Sequence, residues 1–414
     1  MKIYNQKRTI AYFVDDVSTS FVINDIKALA EEFYSIILFS IDKIQDSKAL
    51  PSNVIVVDGF MDWGRYHKMK IVLANFFGIL GIYFRECYAL KKLLPIRKSI
   101  ALIASNIFKT NEVIRQLEEK KIQIDDITFF YSFWFYDCIY LAWLKHLNGQ
   151  IKIISRAHSG DLYEDHISIR NNLLFRHFQL SQMDAVYPVS NMGTDYLRKK
   201  YPEFSNTFKT VYLGTKDHHY MNPFNPKSFV IVSCASFRHH KRIHKIAEAL
   251  LGVESHVIWY HFGDENLNTT DPKIPEYKTR KKALESKTNI KFYPMSYTSN
   301  EDLMDFYMKT PISLFVSLSA VEGIPVSIME AISFGIPVLS TDVGGCAEIV
   351  NDKTGILIPL TTEISEISKI LDAFPNSDKN TEAYRLNVRA FWQTKFDANQ
   401  NNLAFFEQID ALNK

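Results

Sequence analysis

The sequence lacks the patterns that mark a secreted or zinc-binding protein. Its four cysteines, Cys87, Cys138, Cys234 and Cys346, lie far apart, with no Cys-x-x-Cys pair and no Cys/His spacing that suits zinc. The first residues show no long apolar region followed by a small-residue cleavage site, so no export signal is predicted. These absences favour reduced thiols and a cytoplasmic location.

Long hydrophobic runs are also missing. The longest, residues 71–84, has 14 residues, whereas a helix that spans a membrane needs about 20. Basic residues flank this run on both sides: Arg65, His67, Lys68, Lys70, Lys91, Lys92, Arg97 and Lys98. The segment from Arg65 to Lys98 is therefore open to two interpretations: a buried core helix, or a peripheral contact with the anionic inner face of the cytoplasmic membrane.

An excess of either charge is absent as well. The 48 Lys and Arg residues face 46 Asp and Glu, a net charge of +2, so no nucleic-acid partner is expected. Glycine and proline are few, 15 and 14 among 414 residues, and 47% of the chain is apolar, which is typical of a globular protein. At about 100–200 residues per domain, the length allows two to three domains.

Short apolar strands alternate with helical stretches along the whole chain. A strand, a helix over residues 20–32 and a second strand open the sequence as one βαβ unit. The strands predicted in the first half are 9–13, 35–39, 54–57, 99–103, 127–130 and 151–154. Those predicted in the second half are 229–234, 256–262, 290–293, 313–316, 337–340 and 355–358. This alternation predicts two doubly wound α/β domains that face each other across a cleft.

A polar segment that follows residue 215 and carries two prolines has the composition of a linker. We therefore expect one domain over residues 1–215 and a second over residues 216–380. The aromatic-rich terminal helices, residues 381–414, are expected to pack back on the first domain.

Residues 321–350, VEGIPVSIMEAISFGIPVLSTDVGGCAEIV, are the most informative stretch of the sequence. They place Glu322 in a loop after a strand, and Pro325 near the start of a helix whose N-terminus can bind an anion. Glu330 lies over one helical turn further on. Two carboxylates thus straddle an anion site, an arrangement that suits a ligand with a sugar at each end of a diphosphate.

Glu322-x7-Glu330 within EGIPVSIMEAISFGIPVLSTDVGG resembles the pattern of family 4 retaining glycosyltransferases of the GT-B fold, of the bacterial surface-polysaccharide type, which use nucleotide-sugar donors. The resemblance implies that Glu330 binds the ribose hydroxyls of the nucleotide. It also implies that Glu322, with the backbone of Gly323 and Ile324 beside Pro325, holds the transferred sugar.

A second part of the donor site is implied in residues 233–250. In the family an arginine and a lysine, five residues apart, hold the diphosphate and offset the charge that develops on the leaving group. Lys241 matches the lysine, but Ser236 stands in the place of the arginine. Arg238, or failing that Arg242, is expected to supply the second cation. Because cations take the role that a metal plays in other transferases, neither a metal nor a cofactor is expected.

The segment 155–165 resembles the family's loop with a histidine that contacts the transferred sugar. His158 is predicted to hydrogen-bond a sugar hydroxyl or to shield the positive charge that develops at C1. A purely structural histidine is the competing interpretation. The loop of residues 15–20 and the aromatic residues 129–136 are expected either to shape the acceptor site or, for the aromatics, to be core.

The resemblance implies a retaining hexosyltransferase, with an acceptor-binding domain over residues 1–215 and a nucleotide-sugar-binding domain over residues 216–380. It would move a sugar from a nucleotide-sugar donor, more readily a UDP-sugar than a GDP-sugar, to a saccharide or lipid-linked acceptor in bacterial polysaccharide biosynthesis. Two alternatives stay open. A nucleotide-sugar 2-epimerase of the same fold would turn over the donor without an acceptor. A non-catalytic GT-B partner subunit would keep the fold without the chemistry, and the missing arginine is its only support.

Overall fold

The computed structural model describes residues 8–17, 19–44, 50–58, 65–164, 175–264 and 271–413. Some residues of the segments singled out above lie outside this description: residues 1–7, Ser18, Asp165 and Lys414, together with the side chains of Ser20 and of residues 65–69.

The chain divides into two compact units, and the first comprises Met1–Val189, Gly193–Thr210 and Ile409–Lys414. Its six strands form one parallel sheet in the order β3-β2-β1-β4-β5-β6. The strands are β1 Thr9–Val14, β2 Ser35–Ser40, β3 Val54–Asp58, β4 Ile127–Ser132, β5 Ile153–Ala157 and β6 Ala185–Pro188. The helices are α1 Ser20–Glu32, α2 Arg65–Ala74, α3 Phe76–Ala89, α4 Ile96–Glu119, α5 Ile139–Leu147, α6 Ser159–Leu162, α7 Arg176–Leu180 and α8 Asn191–Lys200.

The second unit comprises Ser190–Met192 and Val211–Gln408. It also contains one parallel sheet of six strands, in the order β12-β11-β10-β7-β8-β9. The strands are β7 Phe229–Cys234, β8 Val257–Phe262, β9 Ile290–Met295, β10 Leu314–Ser317, β11 Val338–Thr341 and β12 Gly355–Ile358. The helices are α9 Ile243–Leu251, α10 Ile274–Glu285, α11 Asn300–Lys309, α12 Val326–Ser333, α13 Cys346–Ile349, α14 Ile364–Ala373, α15 Glu382–Lys395 and α16 Ala398–Asp410.

The strands are apolar along their length because helices cover parallel sheets on both faces. In β2 (SIILFS) and β7 (FVIVSC) five of six residues are buried. The aromatic stretch 129–136 is largely core, since Phe129, Phe130, Tyr131, Phe133 and Phe135 are each 0% exposed.

Both sheets have the doubly wound order in which the first and fourth strands of the unit are neighbours. In the first unit these strands are β1 and β4, and in the second they are β7 and β10. The connections leave such a pair in opposite directions, so a crevice opens beyond the carboxyl ends of the two strands. Ligands of doubly wound proteins bind there, and each unit therefore has one expected binding edge.

The strand predicted at residues 99–103 is wrong, because these residues lie inside the 24-residue helix α4. The buried positions of α4 are Ser99, Ile103, Ala104, Asn106, Ile107, Thr110, Val113 and Leu117. Their spacing of three and four residues is helical, and it is visible only over a window longer than a strand. Strand β6, which has four residues, was not predicted.

The terminal residues 381–414 are divided between the two units. Helix α15 lies in the second unit and packs on α12. Two of its side chains, Arg385 and Trp392, are 1% and 0% exposed, and the Trp392 indole donates a 2.8 Å hydrogen bond to Thr215. Of these residues, Ile409–Lys414 belong to the first unit.

The apolar run 71–84 spans the end of α2 and much of α3. One side of α3 is core, because Ile79, Ile82 and Tyr83 are no more than 4% exposed. The opposite side is exposed, with Phe77 at 87% and Tyr88 at 88%. Within the described residues, no helix combines the length and apolarity needed to cross a bilayer.

Candidate functional site

The loops that follow β7 and β10 meet at the expected binding edge of the second unit. The Lys241 Nζ atom lies 2.6 Å from Oε1 of Glu322, a carboxylate whose residue is 9% exposed. The carbonyl of His240 accepts a 2.6 Å hydrogen bond from the N–H of Ala320, which ties the two loops together through the backbone as well. A cation and an anion singled out by the sequence are thus brought together from positions 81 residues apart.

A third loop, which follows β11, holds the backbone next to Glu322. The N–H of Gly345 donates a 2.6 Å hydrogen bond to the carbonyl of Gly323. Gly344 has a φ of +53°, and a Cβ placed on it would lie 1.8 Å from the carbonyl oxygen of Glu322. Only glycine fits here, because the conformation is left-handed and the nearest atom is backbone. The two glycines therefore fix the position of the Glu322–Gly323 peptide.

Helix α12 begins directly after the loop that follows β10 and carries Glu322. Its N-cap residue is Pro325, at a φ of −76°. The first-turn N–H groups of a helix have no partner within it, and they carry the positive end of the helix dipole. Gly323, Ile324 and Pro325 are buried, so this N-terminus is presented on an ordered backbone. Together with Lys241 it supplies positive potential for a phosphate group.

Glu330 lies further along α12 and receives a hydrogen bond that the sequence did not predict. The side-chain amide of Asn300, the first residue of α11, donates to Glu330 Oε1 at 2.7 Å. Burial raises the pKa of Glu330 to about 7, although the Asn300 hydrogen bond opposes the rise. No motif indicates Asn300, because it comes from a different strand–helix unit.

A cavity of about 630 Å³ opens at the carboxyl ends of β7 and β8, a volume that suits a small-molecule ligand. Arg238 and the exposed Tyr297 are among its lining residues. Cys234 also lines it, and burial together with the nearby Glu330 carboxylate raises the pKa of the Cys234 thiol to about 12. Glu330 therefore lies close to the wall of the cavity.

The two candidate arginines differ in their surroundings. Arg238 is exposed and lines the cavity together with Ser236, the residue in the place of the family's arginine. Arg242 has a left-handed φ of +54° and directs Nη1 to the carbonyl of Leu360 at 3.4 Å. Burial lowers the pKa of Arg242. Of the two arginines, Arg238 is the one among the residues that line the cavity.

His158 belongs to the first unit, where it follows β5 and caps α6. Its backbone N–H donates a 2.5 Å hydrogen bond to the buried carboxylate of Asp161, which also accepts the N–H of Phe135 at 2.7 Å. The ring packs against Phe133 and Trp134, with centroids 4.7 Å away in both cases. Nδ1 lies 3.7 Å from Oδ2 of Asp161. Both ring nitrogens are buried, and neither has a hydrogen-bond partner among the residues that the structure describes. The neighbouring aromatic rings and the backbone hydrogen bond to Asp161 thus hold His158 in place.

Arg156, two residues before His158 in strand β5, belongs to a buried polar network. Its Nε lies 3.4 Å from Oδ1 of Asp25 and donates to the hydroxyl of Tyr131 at 3.1 Å. Tyr131 in turn donates to Asp25 at 3.0 Å. Burial raises the pKa of Asp25 while the Arg156 charge opposes that rise. The network connects α1, β4 and β5, and Asp25 carried no signal in the sequence.

Among the described residues, no group of three or more His, Cys, Asp or Glu side chains could hold a metal ion. The absence of a metal requirement stays a prediction.

Comparison with known proteins bears on the second unit most directly. Residues 215–390 match the family model described as glycosyl transferases group 1. This range includes Lys241, Glu322 and Glu330. No curated protein sequence matches the chain.

Solved structures match over nearly the whole chain. The Anabaena protein HepE in complex with UDP-glucose shares 15% identity at a TM-score of 0.68, covering 97% of this chain and 99% of its own. The lipopolysaccharide outer core galactosyltransferase WaaB shares 14% at 0.66, covering 97% and 99%. A glycosyltransferase from Rickettsia africae shares 13% at 0.69, covering 99% of each chain. At these identities the likeness establishes the fold, which is GT-B.

Proposed function

We propose that this protein is a glycosyltransferase of the GT-B type that binds a nucleotide-sugar donor at the carboxyl ends of β7 and β10. The observation that carries the proposal is the Lys241–Glu322 pair at the binding edge of a domain that matches group 1 glycosyl transferases. The neighbouring cavity and the N-terminus of α12 supply the space and the positive potential that a nucleoside diphosphate requires.

We propose the residue roles that the family resemblance implies. Lys241 and Arg238 bind the diphosphate, with the first turn of α12 adding backbone N–H groups. Glu330 accepts hydrogen bonds from the ribose hydroxyls, with Asn300 holding its carboxylate. Glu322, with the backbone of Gly323 and Ile324, binds the hydroxyls of the transferred sugar. HepE, whose structure contains UDP-glucose, supports a UDP-sugar as the donor.

We propose that transfer proceeds with retention at the anomeric carbon. The bond between C1 and the diphosphate oxygen breaks, and its electron pair stays on the diphosphate, where Lys241 offsets the new charge. The acceptor oxygen bonds to C1 on the same face, and its proton passes to the departing diphosphate. His158 contacts the sugar and shields the positive charge at C1.

The acceptor is proposed to be a saccharide or a lipid-linked saccharide of a bacterial polysaccharide pathway. WaaB, which acts in the lipopolysaccharide outer core, supports this class of substrate. Assembly of such acceptors takes place on the cytoplasmic side of a membrane, so we propose a cytoplasmic protein.

A transfer assay tests the proposal against the two alternatives. The purified protein is incubated with a UDP-sugar, with and without saccharide acceptors, while release of UDP and the anomeric proton of the product are followed by NMR. Acceptor-dependent release with an unchanged anomeric configuration supports a retaining transferase. Conversion of the donor to a 2-epimer without acceptor assigns the epimerase, and donor binding without turnover assigns the non-catalytic subunit.

Donor affinity is expected to depend on pH through Glu330. Its pKa of about 7 leaves the carboxyl mostly protonated at pH 6 and ionised at pH 8. Ribose hydroxyls donate more strongly to the ionised form, so the Kd for the donor should fall about tenfold from pH 6 to pH 8. Calorimetric titration with UDP-glucose measures this change, because neither phosphate of a nucleotide-sugar titrates in this pH range.

Glu330→Gln provides the control, because the amide keeps the size of the side chain and does not titrate. Its donor affinity is expected to be weaker and constant over the same pH range. If wild type and Glu330→Gln show the same pH dependence, Glu330 does not contact the ribose.

A further inference from the structure

Helix α3 and the segment after it expose an apolar surface that the donor site does not use. Phe77, Phe84, Tyr88 and Leu93 are 87%, 58%, 88% and 78% exposed. Neighbouring Leu73, Phe76 and Ile96 are also exposed. We infer that this surface, here called the α3 outer face, docks on an anionic lipid bilayer.

The exposed residues form one continuous side of the helix. Phe77, Phe84 and Tyr88 are seven and four residues apart, which places them on one side of an α-helix over about 16 Å. The opposite side, including Ile79 and Ile82, is buried in the first unit. A helix that exposes three large aromatic rings on its solvated side differs from ordinary surface helices, which direct mainly polar residues outward. Single exposed apolar residues are common, whereas an exposed cluster of this kind marks an interaction surface.

The charges around the α3 outer face have one sign. The exposed basic residues from position 70 onward are Lys70, Arg85, Lys91, Lys92, Arg97 and Lys98. The one acidic residue in the sequence between positions 65 and 98 is Glu86. Glu86 is 1% exposed, and its carboxylate accepts the backbone N–H groups of His177 and Phe178 at 3.2 and 3.0 Å. All exposed charge of this segment is therefore positive.

Aromatic side chains fringed by Lys and Arg match the chemistry of an anionic membrane surface. The rings partition into the boundary between headgroups and acyl chains, while the cations pair with phosphate groups. A second copy of this chain is a poorer occupant, because a two-fold interface would oppose the same six positive charges. Charge complementarity thus favours the bilayer.

This inference goes beyond the transfer reaction and does not rest on it. Membrane docking by the α3 outer face would persist in a variant that binds no donor, such as Glu330→Ala. Failure of one proposal is therefore distinguishable from failure of the other.

Co-sedimentation of the full chain with vesicles tests the inference. One set of vesicles contains phosphatidylcholine alone, and the other contains phosphatidylcholine and phosphatidylglycerol at about three to one. We expect binding to the anionic vesicles that is at least about tenfold tighter than to the neutral ones and that weakens at high salt. Absence of binding, or equal binding to both sets, would overturn the inference.

Two variants assign the binding to the α3 outer face. Phe77→Ser with Tyr88→Ser removes the two most exposed rings, and Lys91→Glu with Lys92→Glu reverses two charges. Each pair is expected to weaken vesicle binding about tenfold or more. Leu386→Ser, at a residue that is 57% exposed in the second unit, is the matched control and should bind as wild type does. Unchanged melting temperatures show that the variants fold.

Size-exclusion chromatography over a range of concentrations tests whether a second copy of the chain binds the α3 outer face. A monomer agrees with the inference. A dimer that Phe77→Ser with Tyr88→Ser dissociates would assign the α3 outer face to a second copy of the chain and overturn it.

Discussion

Lys241→Ala is expected to lower kcat about 30-fold or more, which corresponds to about 2 kcal/mol of lost transition-state stabilisation. Negative charge grows on the diphosphate as the bond to C1 breaks, so a cation there contributes more in the transition state than in the ground state. The effect on kcat should therefore exceed the effect on the donor KM. Steady-state kinetics with a UDP-sugar and a saccharide acceptor measure both.

Two controls separate the charge from other consequences of the substitution. Lys245 lies nearby on α9 and pairs with Glu248 at 3.1 Å, so Lys245→Ala removes a similar surface cation and should leave kcat unchanged. Lys241→Arg keeps the charge and should retain part of the activity. The melting temperature of Lys241→Ala is needed too, because the substitution leaves the Glu322 carboxylate buried without its cation. Full activity in Lys241→Ala would contradict the assigned role.

Gly344→Val is expected to lose both activity and stability. A branched side chain at a φ of +53° is strained, and its Cβ would meet the Glu322 carbonyl at 1.8 Å. The backbone fixes the position of a Cβ, and the carbonyl is itself part of the backbone, so no side-chain rotation relieves the contact. We expect a loss of at least about 2 kcal/mol in the free energy of unfolding, with displacement of the Glu322 loop.

Urea denaturation measures the stability change, and the transfer assay measures the activity. Gly149→Val is the matched control, because a Cβ at Gly149 meets nothing within 4 Å and its φ is not positive. It should unfold near the wild-type midpoint. Gly344→Val with wild-type stability would show that the loop adopts another conformation.

Much of the fold follows from local sequence patterns. Strands such as β1, β7 and β12 are apolar runs bounded by polar turns, and the structure places them within about a residue of the prediction. The same approach misassigned residues 99–103, because a run of five apolar or small residues fits a strand as well as one part of a long helix. The position of helix α15 could not be predicted for a different reason. Its place in the second unit depends on buried Arg385 and Trp392, whose partners are distant in sequence.

The candidate site likewise contains residues that sequence motifs predict and contacts that they do not. Glu322, Glu330 and Lys241 lie in motifs that a sequence displays directly. Asn300 reaches Glu330 across 30 residues, and no local pattern encodes that contact. The choice between Arg238 and Arg242 likewise depends on backbone geometry, since the left-handed φ of Arg242 redirects its side chain toward Leu360. Contacts between separate loops require the folded chain.

The central claim is that the second unit binds a nucleotide-sugar through Glu330 and Lys241. Thermal melting of the purified protein against UDP-, GDP-, ADP- and CMP-sugars and the free nucleotides, with and without magnesium, tests it most directly, because a ligand of the folded state raises Tm. We predict a selective rise with the UDP series that does not need magnesium and that Glu330→Ala abolishes. No rise with any nucleotide, or an equal rise in Glu330→Ala, would contradict the claim.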